Sequence, residues 1–226
     1  MMTTRRALLV GGLALTAFAR PGSAEAQAGA LPDDVVIGDA AARVMLTEYG
    51  SAMCGHCRAF EQASWPTLKR EYIDAGKVRF TFREALAPTS PDGSIESVTF
   101  AMYQVSRCNG ATQEQYFQRL NTFFDRQPAI QHSETMAIVR EHLISVGESA
   151  GLTRDQTLVC LRDSTGPDRM RRLSEAFNRD GAAAGIPPDR MGTPMFFLNG
   201  RHIDTGPMMT PDGLRGVLEA ALAAAG

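Results

Sequence analysis

Lysine is almost missing from this chain of 226 residues: Lys69 and Lys77 stand against 21 arginines. That skew fits genome composition and carries no functional weight. With 23 basic and 25 acidic residues the net charge is only -2, so a nucleic-acid or anionic-membrane partner has no electrostatic basis. Internal repeats, low-complexity linkers and bilayer-length apolar runs are also missing. There is no second Cys-x-x-Cys and no His-x(3–5)-His, which removes the usual spacing of a four-ligand zinc site. Apolar residues at 44% and charged residues at 21% are ordinary globular values, so disorder and fibrous repeats are excluded.

What is present begins with a short basic head, Met1–Arg6, and an apolar run of 13 residues, Ala7–Ala19. As a helix that run reaches about 20 Å, short of a hydrocarbon core of roughly 30 Å. Arg20-Pro21 closes it, and Ala24-Glu25-Ala26 overlaps Ala26-Gln27-Ala28 as cleavage sites. Residues 1–28 read as a cleaved export signal, with Thr4-Arg5-Arg6-Ala7-Leu8-Leu9 compatible with either the Sec or the twin-arginine route. The remaining chain would have a net charge of -4 and act in an oxidising compartment, the periplasm. Its four cysteines are Cys54, Cys57, Cys108 and Cys160. A chain of about 198 residues buries its own core and needs no disulfide framework.

Residues 35–37 and 44–49 read as strands. A helix is expected from Cys54 to Ala75-Gly76, with Phe60, Leu68 and Tyr72 on its buried face and a kink at Pro66. Val78–Phe82 follows as a strand, parallel to 44–49 through a βαβ unit. Helical segments are expected near 94–108, 113–126, 134–150, 154–163 and 167–184. Thr112-x-x-Gln115 and Thr153-x-x-Gln156 are capping boxes, and Ser133 is an N-cap candidate. Met195–Leu198, Asn199-Gly200 and Arg201–Asp204 form a hairpin, and Thr210-Pro211 opens a final helix to Ala224. The fold class is α/β: one sheet domain (29–85 and 187–226) interrupted by a helical insertion (86–186).

Cys54-Gly55-His56-Cys57 falls where a strand hands over to a helix. Free N–H groups and the helix dipole there favour Cys54 as a thiolate, and a protonated His56 adds to the effect. Gly55 suits a crowded turn. An acidic Cys54 is a good leaving group, so the oxidised pair passes on its disulfide readily. A Cu(I) site using both sulfurs, with Met53 beside them, is the alternative. Gly192-Thr193-Pro194 precedes a strand, and a cis Thr193-Pro194 bond would turn the backbone towards an extended substrate beside Cys54.

These motifs resemble the DsbA-like branch of thioredoxin-fold thiol–disulfide oxidoreductases: the export signal, strand-Cys-x-x-Cys-helix, the helical insertion and Gly-Thr-Pro-Met-Phe-Phe-Leu-Asn-Gly. The resemblance implies Cys54 as the attacking cysteine and Cys57 as the resolving one. No cofactor is implied beyond the Cys54–Cys57 disulfide, and no metal. Cysteine-containing exported proteins would be the clients, and a membrane redox partner would recycle the pair. Many members carry proline at the first central position; Gly55 gives instead the Cys-Gly-His-Cys of disulfide isomerases, which leaves oxidase, isomerase and reductase open. Only about 15 residues separate the cleavage site from the sheet, which leaves no room for the dimerisation domain of related isomerases and favours a monomer. Glu48 lies where relatives place a buried acid; it either exchanges protons with the pair or is hydrated at a strand end. Cys108 and Cys160 form a structural disulfide in the implied arrangement, and are otherwise two buried thiols. His132, His142 and His202 read as isolated surface or capped histidines.

Overall fold

Val44, Leu46 and Glu48 point to one side of the strand β2 (Val44–Gly50), and all three are fully buried. In the computed structural model, which describes residues 29–226, β2 is the centre of a five-stranded sheet. The export-signal reading lies outside the described residues. β3 (Val78–Glu84) pairs with β2 in parallel and β4 (Met195–Leu198) pairs with it antiparallel. β1 (Val35–Ile37) and β5 (Arg201–Ile203) add antiparallel at the two edges, giving the order β1-β3-β2-β4-β5. At the β4–β5 turn both Asn199 (φ 49°) and Gly200 (φ 82°) are left-handed, as a tight hairpin requires.

A parallel pair needs a crossover, and here it comes in three pieces. α1 (Gly55–Ala63) ends at Ser64, α2 (Trp65–Leu68) takes Pro66 in its first turn, and Lys69–Ile73 winds as a π-helical turn. The single helix expected over Cys54–Gly76 is therefore broken, because Pro66 has no N–H to continue α1 but fits the start of a new helix. β3 runs two residues beyond the expected end at Phe82, since Arg83 and Glu84 are buried among ionic partners and stay in the ladder.

Five helices lie between β3 and β4: α3 (Ser94–Ser106), α4 (Gln113–Gln131), α5 (Met136–Ser149), α6 (Arg154–Cys160) and α7 (Gly166–Ala183). Thr112 and Thr153 form both capping boxes. Ser133 does not cap α5: its hydroxyl donates back to Ala129 O (3.0 Å), and Thr135 caps instead, accepting from Ile138 N. α4 continues through Pro128 to Gln131, past the expected end at 126. Pro128 cannot donate to Phe124 O, and Arg58 Nε fills that place at 3.0 Å. After β5, Asp204 caps the short α8 (Thr205–Met208) rather than ending the strand, and Thr210 caps α9 (Pro211–Ala225).

Two apolar clusters join sheet and inserted helices, the smaller made of Tyr49, Ala176, Met195 and Phe197. Trp65 stacks on Phe117 of α4 (5.3 Å between centroids) and meets Phe80 of β3 edge-on (5.1 Å), while Phe82 contacts Phe117, Tyr116 and Tyr103. Each such pair adds about 0.5–1.5 kcal/mol beyond its burial. Beside them the buried Glu84 carboxylate accepts from Arg107 Nε (2.6 Å), Tyr116 Oη (3.0 Å) and Arg169 Nε (3.0 Å), tying β3 to the end of α3, to α4 and to α7. A disulfide joins Cys108, just past α3, to Cys160 at the end of α6.

Candidate active site

Cys54 is the N-cap of α1, four residues past the end of β2. The intervening loop is held from the inserted helices. Gln127 Nε2 donates to the carbonyls of Ala52 (2.8 Å) and Cys54 (3.1 Å), and Gln131 Nε2 donates to Met53 O (3.2 Å). The Tyr103 hydroxyl accepts from Ala52 N (3.2 Å) and lies 2.9 Å from Gly50 O and 3.1 Å from Ala85 O. Gly50 itself is obligatory: a Cβ there would run into the Phe82 ring and meet Glu48 Oε1 at 2.8 Å. Gly55 is different. It is exposed with open space where a Cβ would go, so the expectation of a crowded turn at this position is not met.

The two sulfurs differ in kind. Cys57 is fully buried and accepts from Ser51 N (3.3 Å), while Cys54 retains 6% exposure. The Cys57 thiol donates to Cys54, and the Thr193 hydroxyl and the N–H groups of Cys57 and His56 also point their protons at it. Together they outweigh burial and bring the Cys54 thiol down to about 5. Burial first, then hydrogen bonding to Cys54, pushes Cys57 well above the usual thiol range, and Glu48 adds to the rise whenever it is ionised. His56 takes part through its backbone N–H; its side chain is exposed.

Opposite Cys54 the Thr193–Pro194 peptide is cis, and Thr193 O lies 3.1 Å from Cys54 Sγ. A second cis bond, Ala87–Pro88, was not anticipated from sequence. The two loops touch, because the Thr193 hydroxyl donates to Ala87 O (3.2 Å).

Beneath the pair lies Glu48, fully buried, with neither carboxylate oxygen hydrogen-bonded among the described residues. Burial, then the charges of Glu61 and Cys54, raise it well above the carboxylate range. Glu61 was missed in the sequence. It is buried on α1, and burial with the charge of Asp125 lifts it to about 8. Its signal was helical spacing: four residues after Cys57, it returns to the same face. With the Asn121 amide turned to satisfy its neighbours, Asn121 donates to Glu61 Oε2 (3.2 Å) and accepts from Trp65 Nε1 (3.3 Å).

A carboxyl raised by burial costs stability above its unfolded value near 4.5, where the unfolded chain ionises and the folded one does not. Glu61→Gln is therefore expected to stabilise the protein by on the order of 3 kcal/mol at pH 7, with the gain gone below about pH 4.5. Urea denaturation at pH 7 and pH 4 reads both. A variant no more stable than the parent at pH 7 contradicts the account.

Of the remaining candidates, His202 lines a depression that His56, Thr193 and Pro194 also border. His132 and His202 are exposed, the latter 5.6 Å from the Phe197 ring, and His142 is half-buried rather than at the surface. Among the described residues no three His, Cys, Asp or Glu side chains converge as metal ligands. No helix there is long and apolar enough to cross a membrane.

The family described as Thioredoxin matches residues 30–220. The chain belongs to the thioredoxin family. Its curated relatives include a provisionally named protein-disulfide oxidoreductase of Rickettsia conorii, 30% identical over 175 residues, which cover 77% of this chain and 55% of the relative. The chain thus spans about half the length of the curated relatives it matches. Among solved thioredoxin folds, Wolbachia pipientis α-DsbA1 superposes with a TM-score of 0.66 at 21% identity, covering 87% of this chain and 94% of that one. BdbD of Bacillus subtilis gives 0.64 at 18% identity over 84% and 94%. This thioredoxin-family chain therefore has the DsbA-like fold, a sheet interrupted by helices.

Proposed function

We propose that this chain is an exported thiol–disulfide oxidoreductase that oxidises cysteine pairs in client proteins, with Cys54 as the exchanging and Cys57 as the resolving sulfur. The observation that carries the reading is the asymmetry of the pair: Cys54 partly open beneath four donors, Cys57 sealed and hard to ionise. In the oxidised state a client thiolate attacks Cys54 Sγ, the Cys54–Cys57 bond breaks, and Cys57 leaves with the electron pair. Cys57 then takes a proton, which the neutral Glu48 beneath it supplies, and the exposed Asp125 beside Glu61 gives the carboxyls a way to recover it from solvent. A second client thiolate attacks the client sulfur of the mixed disulfide and expels Cys54. A group that ionises near 5 is the better leaving group, so the disulfide passes outwards.

Thr193 and Pro194 position the client backbone. Cys108–Cys160 is a structural bond remote from the reaction. The site is read as metal-free, its reactive element being the pair itself. Clients are exported cysteine-containing proteins, recycling falls to a membrane redox partner, and the chain acts as a periplasmic monomer.

Equilibration of the Cys54–Cys57 pair with glutathione buffers tests the direction. The potential is expected above about -180 mV, towards the roughly -120 mV of a strong oxidant. A value near about -270 mV would make it a reductant, and failure to cycle with glutathione would end the oxidoreductase reading.

A further inference from the structure

Tyr103 of α3 carries a hydroxyl to a point where three backbone segments meet. The side chain is fully buried, and its ring packs on Phe82 of β3 with 6.4 Å between centroids. On one side the hydroxyl accepts from Ala52 N, in the loop that leads to Cys54. On the other it faces Gly50 O, at the end of β2, and Ala85 O, just past β3. Those two segments are already joined, since Ala85 N donates to Gly50 O (2.9 Å). Tyr103 adds residue 52 to the junction.

The peptide unit that Tyr103 holds is the one that seats Cys54. The Ser51–Ala52 peptide turns its N–H to Tyr103 and its carbonyl to Cys54 N (3.0 Å). In the peptide before it, Ser51 N donates to Cys57 Sγ (3.3 Å); in the peptide after it, Ala52 O accepts from Gln127. Three consecutive peptides are thus pinned. Without the hydroxyl the middle one keeps its carbonyl partner and loses its amide partner. A buried N–H without an acceptor is costly, so the peptide is driven to rotate, and rotation carries Ser51 O away from Cys54 N. The far side of the junction leads to the same sulfur. Ala87, two residues past Ala85, accepts from the Thr193 hydroxyl (3.2 Å), and Thr193 O lies 3.1 Å from Cys54 Sγ.

The geometry points to Tyr103 as a positioning residue for disulfide exchange: its hydroxyl fixes residues 51–54 against residues 85–87 and so keeps Cys54 aligned with the N–H groups at the start of α1. The inference rests on the oxidoreductase reading above. Burial, then the charge of Glu84, pushes the Tyr103 phenol well above its ordinary range, so it is neutral in any exchange assay. Tyr103→Phe therefore removes one oxygen and no charge, and keeps a ring against Phe82. A change at Cys54 in this variant comes through the loop.

The test titrates reduced Tyr103→Phe by alkylation and equilibrates its Cys54–Cys57 pair with glutathione buffers. The Cys54 midpoint is expected to rise by about one pH unit, a tenfold loss of thiolate stabilisation. Only the reduced form loses it, so at pH 7 the equilibrium should move about tenfold towards the enzyme disulfide. Tyr116→Phe is the matched control: that side chain is also buried and also meets Phe82, but its hydroxyl donates to Glu84 (3.0 Å). It should lower stability and leave both readouts within about twofold of the parent. Tyr103→Phe readouts equal to the parent's overturn the role and leave a hydroxyl that only stabilises. Equal shifts in the two variants also overturn it, by showing a general loosening. Should Tyr103→Phe not fold, amide exchange in the parent decides. Ala52 N–H protected like the amides inside β2 supports the role, and exchange as fast as at the exposed Gly55 overturns it. A parent that does not cycle with glutathione sinks the oxidoreductase reading itself, and the role of Tyr103 with it.

Discussion

Cys54→Ser is expected to slow oxidation of a dithiol peptide by about four orders of magnitude or more, and Cys57→Ser, which cannot form the disulfide that the client attacks, should also lose the oxidation yet still take up one glutathione on Cys54 from added oxidised glutathione. The two variants differ because the sulfurs differ: one forms the client bond, the other leaves as that bond forms. Their ionisation gives a second readout. Alkylation of reduced wild-type protein should follow a single group with a midpoint near pH 5, with Cys57 silent at neutral pH. Cys57→Ala removes the largest of the donors to Cys54 and should move the midpoint upwards, whereas the serine hydroxyl should restore much of the shift. The sign for stability follows. A thiol depressed in the fold stabilises the reduced protein above its unfolded value and loses that stabilisation as pH falls through about 5. At pH 7 the contribution is about 3 kcal/mol. An alkylation midpoint near the ordinary thiol value of about 8.5 would refute the proposed asymmetry.

The second large effect is structural. Glu84→Ala removes the common acceptor of Arg107, Arg169 and Tyr116, and leaves the Arg169 guanidinium, 6% exposed, without its counter-charge. Breaking such a buried pair from one side costs about 3–5 kcal/mol. The exposed pair Glu141–Arg154 has equally short contacts, 2.7 and 2.8 Å, yet Glu141→Gln should cost under about 1 kcal/mol because water screens both partners. Urea midpoints of the two variants at pH 7 decide whether burial or contact length governs. If Glu84→Ala stays within about 1 kcal/mol of wild type, Glu84 is not the tie between β3 and the inserted helices.

Much of this was legible because its causes are local. The capping boxes at Thr112 and Thr153 need only a hydroxyl and a glutamine three residues on, and both formed. Asn199-Gly200 needs only two residues that tolerate positive φ. Burial of Glu48 followed from its sharing a strand face with Val44 and Leu46. What escaped depends on partners distant in sequence. No local rule carries α4 through Pro128; Arg58, 66 residues from Phe124, makes it possible. One miss is local instead: Thr135 displaces Ser133 as a cap because the Ser133 hydroxyl donates to Ala129 O, four residues back. Arg83 and Glu84 look like the polar end of a strand until Asp34, Asp180, Arg107 and Arg169 close around them. Glu61 was overlooked because a glutamate on a surface-patterned helix is usually hydrated, and only the cover provided by α4 makes it buried.

Gln127 and Gln131 make the inserted helices part of the frame around Cys54 rather than a passenger on it. Their amides fix the carbonyls of residues 52–54, so the loop that aims Cys54 takes its shape from α4 as well as from the strand before it. A protein engineer seeking a minimal redox scaffold could not obtain one by excising α3–α7 and joining the ends. The shortened chain would keep both cysteines in sequence, lose the grip on their loop, and bare Trp65, Phe80 and Phe82 where Phe117 and Tyr103 now cover them. The insertion has ceased to be optional.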